Sequence, residues 1–468
     1  MPEPYDVIII GAGPAGIFCA LELLKHPHLR VLMIEKGEDL DRRIPGAGEE
    51  GAPNHRRARS LTSGWGGAGA LSDGKLTLSP EVGGLLADLL PYEQVEALIQ
   101  EVDEIYLGFG APERLYGADD DAMRDLARRA SLAELRLVPA AIRHLGTERC
   151  LGIVRQMREE IGASAQVVTE MPVDQVLVEG GRAVGVRTRD GAEHRARCIV
   201  AAPGREGSAW LAEEAQRLGL SRADNPVDVG VRIEVPAEVM RPLSDVAYEP
   251  KLVFFSTLFD DKVRTFCMCP YGEVSTEFAG GVMTVNGHSF AGRRTANTNF
   301  AILVSKSFTE PFDDPIEYGK SIARLANLLS GGILVQRLGD LEAGRRSTAE
   351  RLSRSVVTPT LASATPGDLN LVLPYRYVVD ILEMLHALDE VAPGVASRQT
   401  LMYGVEVKFY SNRLRLSPHM ETEIPNLFAC GDGAGVTRGL VQASASGLVA
   451  ARAILGRLKA RGDQANVA

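Results

Sequence analysis

The chain has 468 residues, of which 45% are hydrophobic and 24% charged, with a net charge of −10 at neutral pH. That length exceeds one compact core and predicts two intertwined domains, and the acidic balance excludes the broad basic face that a nucleic-acid partner requires. No apolar run is long enough to span a membrane, and the start, Met1-Pro2-Glu3-Pro4, lacks the basic and apolar regions of a signal peptide, so the expected compartment is the cytoplasm.

In chain order, the apolar run Val7-Ile8-Ile9-Ile10 meets Gly11-Ala12-Gly13-Pro14-Ala15-Gly16, then a periodic segment. A second apolar run, Val31 to Ile34, closes on Glu35 and Lys36. This is the pattern of a strand, a tight turn, a helix and a parallel strand. In G-x-G-x-x-G the first glycine allows the turn, the second lets main chain approach a pyrophosphate, and the third brings the helix close to the sheet. The helix start at Pro14-Ala15-Gly16 turns free N–H groups toward phosphates. Ile17, Ala20, Leu21 and Leu24 form the face that packs on the sheet, with Glu22 and Lys25 outside. Glu35 stands where a carboxylate accepts the ribose hydroxyls of an adenosine and disfavours a 2′-phosphate. The alternative is a doubly wound sheet whose turn binds nothing.

Residues 38 to 60 read as a polar loop. Its basic patch, His55-Arg56-Arg57-Ala58-Arg59, is either solvated or a contact for phosphate or an acidic substrate. The run Ser63-Gly64-Trp65-Gly66-Gly67-Ala68-Gly69-Ala70-Leu71-Ser72-Asp73-Gly74-Lys75 lets main chain approach a large flat ligand, although a flexible surface loop has the same composition. From 81 to 162 the period is helical. Val95, Leu98, Ile99, Val102 and Ile105 share a face, a second helix is capped at Thr147, and His144 before it reads as a hydrogen-bonded structural residue.

At 166 the period changes to two. Strands are predicted over 166–170, 174–178, 183–188 and 194–201, with tight turns at Gly180-Gly181 and Asp190-Gly191. Ala201-Ala202-Pro203-Gly204-Arg205 then returns the chain to the nucleotide region. Residues 226 to 400 read as an inserted α+β layer, with antiparallel strands near 229, 252, 263 and 300 and helices over 314–330 and 376–390. Within it, Phe266-Cys267-Met268-Cys269-Pro270 on a strand would point both sulfurs the same way, as a thiol site or as two small buried residues. The six cysteines form no C-x-x-C, so neither a disulfide framework nor a zinc site is expected. The chain closes with Gly431-Asp432-Gly433-Ala434-Gly435, then a helix from Leu440 whose start is uncovered and suits negative charge.

Taken together, these motifs resemble the glutathione-reductase-type FAD-binding superfamily. Within it the chain is similar to a family of bacterial and archaeal FAD-dependent dehydrogenases of unassigned substrate. The resemblance rests on Gly11 to Gly16 with Glu35, Gly66 to Lys75, His144 to Thr147, the Cys-Met-Cys-Pro run, Glu406 to Ser411 and Gly431-Asp432. It implies a Rossmann-like FAD-binding domain with a β-meander and an inserted α+β substrate or cap domain. The expected limits are 1–80, 163–225 and 401–468 for the FAD-binding domain, 81–162 for the helical segment and 226–400 for the insert. Gly11, Gly13 and Gly16 would then bind pyrophosphate, Glu35 the ribose, Val173 the adenine region, and Asp432 the ribitol side. Ala434, Gly435 and Gly439 would lie near the ring, with Lys36, Gly66 to Gly69, Ala202, Gly204, Gly431 and Leu440 around them. The chain departs from the family in having His55 to Ser60 where cysteines often precede the Gly-rich loop, and Tyr271-Gly272 where Gly-Gly often follows Cys-Pro.

The activity this implies is hydride transfer between a small organic substrate, held between insert and flavin, and bound FAD. Lys75, Lys408, Cys267 and Cys269 are catalytic candidates by residue type. A reductase or monooxygenase driven by NAD(P)H as a transient donor is a second reading. A flavin-containing RNA- or partner-binding protein is a third, disfavoured by the acidic charge.

Overall fold

The computed structural model describes residues 3–43, 63–69, 74–223, 225–279, 281–289, 294–308, 314–409 and 413–465. The basic patch at 55–59, residues 70–73 of the Gly-rich run, and Tyr410 and Ser411 lie outside them. The chain divides into two compact units, one of Met1–Arg114, Arg143–Asn225 and Tyr410–Ala468, the other of Leu115–Ile142 and Pro226–Phe409.

Along the chain the strands are β1 (Tyr5–Ile10), β2 (Val31–Ile34), β3 (Lys75–Leu78), β4 (Arg136–Val138), β5 (Ala141–His144), β6 (Gln166–Val168), β7 (Val173–Glu179), β8 (Arg182–Thr188), β9 (Glu193–Ala201) and β10 (Arg222–Ala223). They continue as β11 (Val227–Pro236), β12 (Lys251–Phe255), β13 (Lys262–Cys269), β14 (Glu273–Ala279), β15 (Val282–His288), β16 (Asn297–Lys306), β17 (Leu334–Arg337), β18 (Thr365–Pro366), β19 (Leu401–Lys408), β20 (Arg413–Leu414) and β21 (Leu427–Ala429).

In the first unit β6, β2, β1, β9 and β21 run parallel, while β8 and β7 continue from β9 as an antiparallel meander. The length of β9 explains the double role: residues 193–195 pair with β8 and residues 199–201 pair with both β1 and β21. Both residues of the Gly180-Gly181 turn have positive φ, 56° and 73°, as the tightest hairpin turn demands. Helix Pro14–Leu24 is buried along nearly its whole surface, because helix Leu440–Ala465 packs against it. Gly447 makes that packing possible: a Cβ there would run into the Ala15 carbonyl. For the same reason Glu22 is not outside. It is 8% exposed, paired with Lys25 at 2.6 Å and with Arg452 of the covering helix at 2.8 Å.

The second unit is an eight-stranded sheet ordered β18-β17-β19-β11-β16-β13-β12-β4, with a β14–β15 hairpin beside it. Helices Pro315–Ser330 and Tyr375–Val391 contribute to its apolar core. Two expected limits change here. The span 81–162 is not all helical, since it holds β4 and β5, and β4 pairs with β12. The insert also runs past 400: β19, buried from Leu401 to Val407, pairs with β11 on one side and β17 on the other. The helix expected to be capped by Thr147 begins at that residue, with Gly146 at φ 77° in the capping position.

Candidate functional site

In the first unit the turn after β1, the Gly-rich run and the start of the last long helix meet. Gly66 N–H donates to Ala12 O at 2.7 Å, so residues 64–67 lie on the turn at 11–13. The three glycines of that turn differ in why they must be glycine. A Cβ on Gly11, at φ 100°, would strike the Ala202 carbonyl, and one on Gly16 would strike the Gly11 carbonyl. A Cβ on Gly13 would meet nothing nearer than the Gly67 Cα at 3.9 Å. Packing within the described residues therefore requires glycine at 11 and 16 but not at 13. Gly13 is the N-cap of a helix with Pro14 at its start and no side-chain cap. An anion approaching that helix end needs the space a side chain would fill, so this cradle fits a dinucleotide pyrophosphate.

Glu35 ends β2 beside the turn at 5% exposure. Its Oε2 accepts from Ala12 N–H at 2.8 Å, and its Oε1 accepts from Gly37 at 2.8 Å and Gly64 at 3.0 Å. The carboxylate thus ties three loop segments together, and of its roughly four acceptor positions three are used among the described residues. Lys36 faces Glu206 at 3.9 Å. Val173 opens β7 opposite Thr188, and the neighbouring Met171 N–H donates to Glu35 O.

The sequence reading missed Arg43. At 2% exposure its guanidinium donates to Trp65 O and to Gly67 O, the latter at 2.9 Å, pinning the Gly-rich run from below. Burial pulls it down to about 10, against the nearby Glu35 and Glu38 carboxylates. Two adjacent arginines at 42 and 43 read as a solvated loop, and only the tertiary contact separates them. Trp65 is fully buried, and its Nε1 finds no acceptor among the described residues.

The C-terminal motif joins the same unit. Ala202 N–H donates to Ile10 O at 2.8 Å, and a Cβ on Gly433 would lie 2.7 Å from Gly204 O, so β1, β9 and the turn after β21 abut. Gly431 N–H donates to Ser446 Oγ at 3.0 Å, and Thr437 Oγ1 to Asp432 Oδ1 at 2.7 Å. Arg205 lies 3.4 Å from Asp432 Oδ2. Ala434 is fully buried, Gly435 has φ 75°, and Gly439 O accepts from Ala443 N–H. A Cβ on Gly69 would lie 2.6 Å from Leu440, which brings Ala68 and Gly69 to the helix start, next to Pro14.

Of the catalytic candidates, Lys75 lies on β3 in the first unit, and the other three gather in the second. Cys267 and Cys269 do not alternate as expected for a regular strand. β13 loses register between Phe266 and Cys269, and Cys267 takes φ 44°, so the period of two fails at a bulge. Arg232, fully buried on β11, organises this cluster. Its Nε donates to Asn299 Oδ1 at 2.7 Å, Nη1 to Glu406 Oε2 at 3.0 Å, and Nη2 to Cys267 O at 2.6 Å and Cys269 Sγ at 3.6 Å. Lys408 Nζ lies 3.2 Å from Glu406 and 3.4 Å from Glu277. Burial opposes its charge, yet Glu406, Glu277 and Cys267 hold it above the usual lysine value. Arg232 was missed because alternation in Val229 to Val235 puts it on the face that reads as solvent, whereas Gly287 of the β14–β15 hairpin lies directly over it. Among the described residues no group of three His, Cys, Asp or Glu side chains could hold a metal, and no helix is long and apolar enough to cross a membrane.

The family profile "FAD dependent oxidoreductase" matches residues 6–232, "FAD-dependent protein, C-terminal domain-like" matches 226–409, and "Glucose inhibited division protein A" matches 364–462. An uncharacterized protein of Clostridium beijerinckii is 28% identical over 473 residues, spanning 96% of this chain and 80% of that one. Among solved structures, a formate oxidase variant of Aspergillus oryzae aligns at 13% identity and TM-score 0.48, over 98% of this chain and 99% of its own. A 3-ketosteroid dehydrogenase of Rhodococcus jostii aligns at 15% identity and TM-score 0.43, over 97% of each chain. With one profile over the nucleotide turn and meander and another over the second unit, the chain belongs to the FAD-dependent oxidoreductases.

Proposed function

We propose that the first unit holds FAD through the Gly11–Gly16 turn, Glu35 and the Asp432 turn, and that the enzyme passes a hydride between a small organic substrate and that flavin. The observation that carries this reading is Gly13, a glycine that no packing among the described residues requires, at a helix end with no side-chain cap. In it, the N–H groups after Pro14 take the pyrophosphate charge, and Glu35 accepts a ribose hydroxyl with its remaining capacity. Val173 and Lys36 flank the adenosine side. Asp432, steadied by Thr437, accepts from the ribitol side, and Gly66, Gly67, Ala68 and Gly69 line the turn with main chain. Ala202, Gly204 and Gly431 shape the opposite wall. Ala434, Gly435, Gly439 and Leu440 set the start of the last helix, whose dipole favours negative charge there. FAD, when bound, supplies the ring nitrogen that accepts or returns the hydride. Substrate recognition is assigned to the second unit, with Lys408 and the two cysteines as candidates for proton handling and Lys75 as a candidate in the first unit.

The test is an anaerobic titration of the purified yellow protein with NADH, NADPH and candidate alcohols, amines and hydroxy acids, following flavin absorbance. A dehydrogenase bleaches with an organic substrate and not with nicotinamides. Rapid bleaching by NADH or NADPH would replace this direction of electron flow with a nicotinamide-driven one. Colourless protein that takes up no FAD would overturn the assignment of the cradle.

A further inference from the structure

We propose that the second unit carries a binding site for inorganic phosphate in a cavity walled by Arg337, Gly339, Asp340, Arg398 and Gln399. Both guanidinium groups hold the anion there, and Gln399 Oε1 accepts its P–OH hydrogen. The cavity has a volume of about 150 Å³. One water takes about 30 Å³ in the liquid, and drug-sized ligands fill roughly 300–1,000 Å³, so the space suits a small anion and not a nucleotide.

The chain forms this cavity where β17 ends. Leu338 N–H donates to Thr400 O at 2.8 Å and Gly339 N–H to Arg398 O at 3.2 Å, which lays the segment before β19 along the start of helix Leu338–Glu342. A Cβ on Gly339 would lie 2.7 Å from Arg398 Cβ and 3.0 Å from its Nε, so the glycine leaves the room that the Arg398 side chain takes. The fully buried Asp340 is saturated by its neighbours. Its Oδ2 accepts from Arg337 Nε at 2.9 Å and Ser347 Oγ at 2.8 Å, and its Oδ1 from Arg345 Nε at 2.9 Å, with Arg351 at 4.0 Å. Among the described residues none of these three arginines has another carboxylate partner, and Arg398 has none at all. One carboxylate therefore stands against four guanidinium groups, and an added anion offsets the excess. Arg337 spends Nε and Nη2 on Asp340, and its Nη1 makes no hydrogen bond among the described residues.

A second observation selects the anion. Gln399 Oε1 is buried and accepts no hydrogen bond among the described residues. Such an acceptor calls for a donor. Hydrogen phosphate brings a hydroxyl beside its anionic oxygens, whereas sulfate and ionised carboxylates bring none.

This site does not rest on the flavin assignment. The test is a calorimetric titration of the full-length, flavin-loaded protein with inorganic phosphate at about pH 7.5 and matched ionic strength. Phosphate should saturate a single site about ten-fold more tightly than sulfate, which has the same shape and no hydroxyl. Methyl phosphate, fully ionised at that pH, should bind as weakly as sulfate. Arg398→Gln, at an exposed position, should weaken phosphate about ten-fold through the loss of a charge-assisted hydrogen bond. That variant also separates this site from any phosphate binding at an empty cradle in the first unit, which it leaves unaltered. Gln399→Leu should bring phosphate and sulfate within about two-fold of each other. Flavin absorbance and melting temperature confirm that both variants are folded, and Arg337 is left intact because the buried Asp340 depends on it. No saturable binding, equal affinity for phosphate and sulfate, methyl phosphate as tight as phosphate, or Arg398→Gln without effect would each overturn the proposal.

Discussion

At Gly13 and Gly16 the same substitution has two different consequences. Valine at 16 drives a side chain into the Gly11 carbonyl, so it should destabilise by roughly 3 kcal/mol or more and leave little soluble protein. Valine at 13 has 3.9 Å of clearance at Cβ, so it should melt within a few degrees of apo wild type yet emerge without flavin. Absorbance spectra and melting curves of the two variants separate the roles, and a fully yellow Gly13→Val would remove the pyrophosphate from this turn. Glu35→Ala should lose both flavin and stability, because three loop N–H groups lose their acceptor at about 1 kcal/mol or more each. Glu35→Gln keeps one acceptor oxygen and should fall between. Denaturant melts of the apo forms read the first effect, and FAD titration reads the second.

In the first unit helices Pro14–Leu24 and Leu440–Ala465 cross at Gly447, and the turn at Gly11–Gly16 is fixed to the first while Gly431 is tied to the second through Ser446. Gly447→Leu should therefore lower the melting temperature and flavin content together, whereas a variant that keeps flavin would uncouple crossing from cradle. In the second unit, Arg232 and Glu406 join β11 to β19 with neither side chain exposed. Arg232→Met should cost about 3 kcal/mol by leaving the buried Glu406 carboxylate with Lys408 as its one ion-pair partner among the described residues, and Arg232→Met with Glu406→Leu should recover most of that. Equal losses in the single and double variants would show that the pair itself is strongly favourable.

Elements such as β1, β2, the meander and the turns at both ends of the proposed nucleotide cradle were legible because period and glycine spacing are local signals. Arg43, Arg232 and Glu22 were not legible, since each is a charged side chain whose burial is decided by a distant segment. The β13 bulge was hidden for a related reason: Phe-Cys-Met-Cys satisfies strand propensity, and only pairing with β16 reveals the extra residue.

Across the molecule, stability against pH carries the mark of one carboxylate pair. Asp380, fully buried on helix Tyr375–Val391, lies beside Asp261 after β12. Asp261 is held below the usual carboxylate range: burial opposes this, but hydrogen bonds from Arg376 and Lys306 prevail. Asp380 is pushed above that range, by burial first and by Asp261 in addition. A carboxyl raised on folding contributes its full stability at low pH, where both states are protonated, and that contribution declines as pH rises through the folded value. The lowered Asp261 acts oppositely, its contribution disappearing only below about pH 4. From about pH 4 toward neutrality Asp380 therefore opposes folding increasingly. Asp380→Asn should abolish that decline, raising the melting temperature of the second unit by a few degrees near pH 7 and leaving it nearly unchanged near pH 4. Calorimetric scans of both proteins at the two pH values give the comparison. An equal shift at both would mean that the asparagine acts by packing, whereas a shift confined to pH 7 identifies the buried carboxylate as the source.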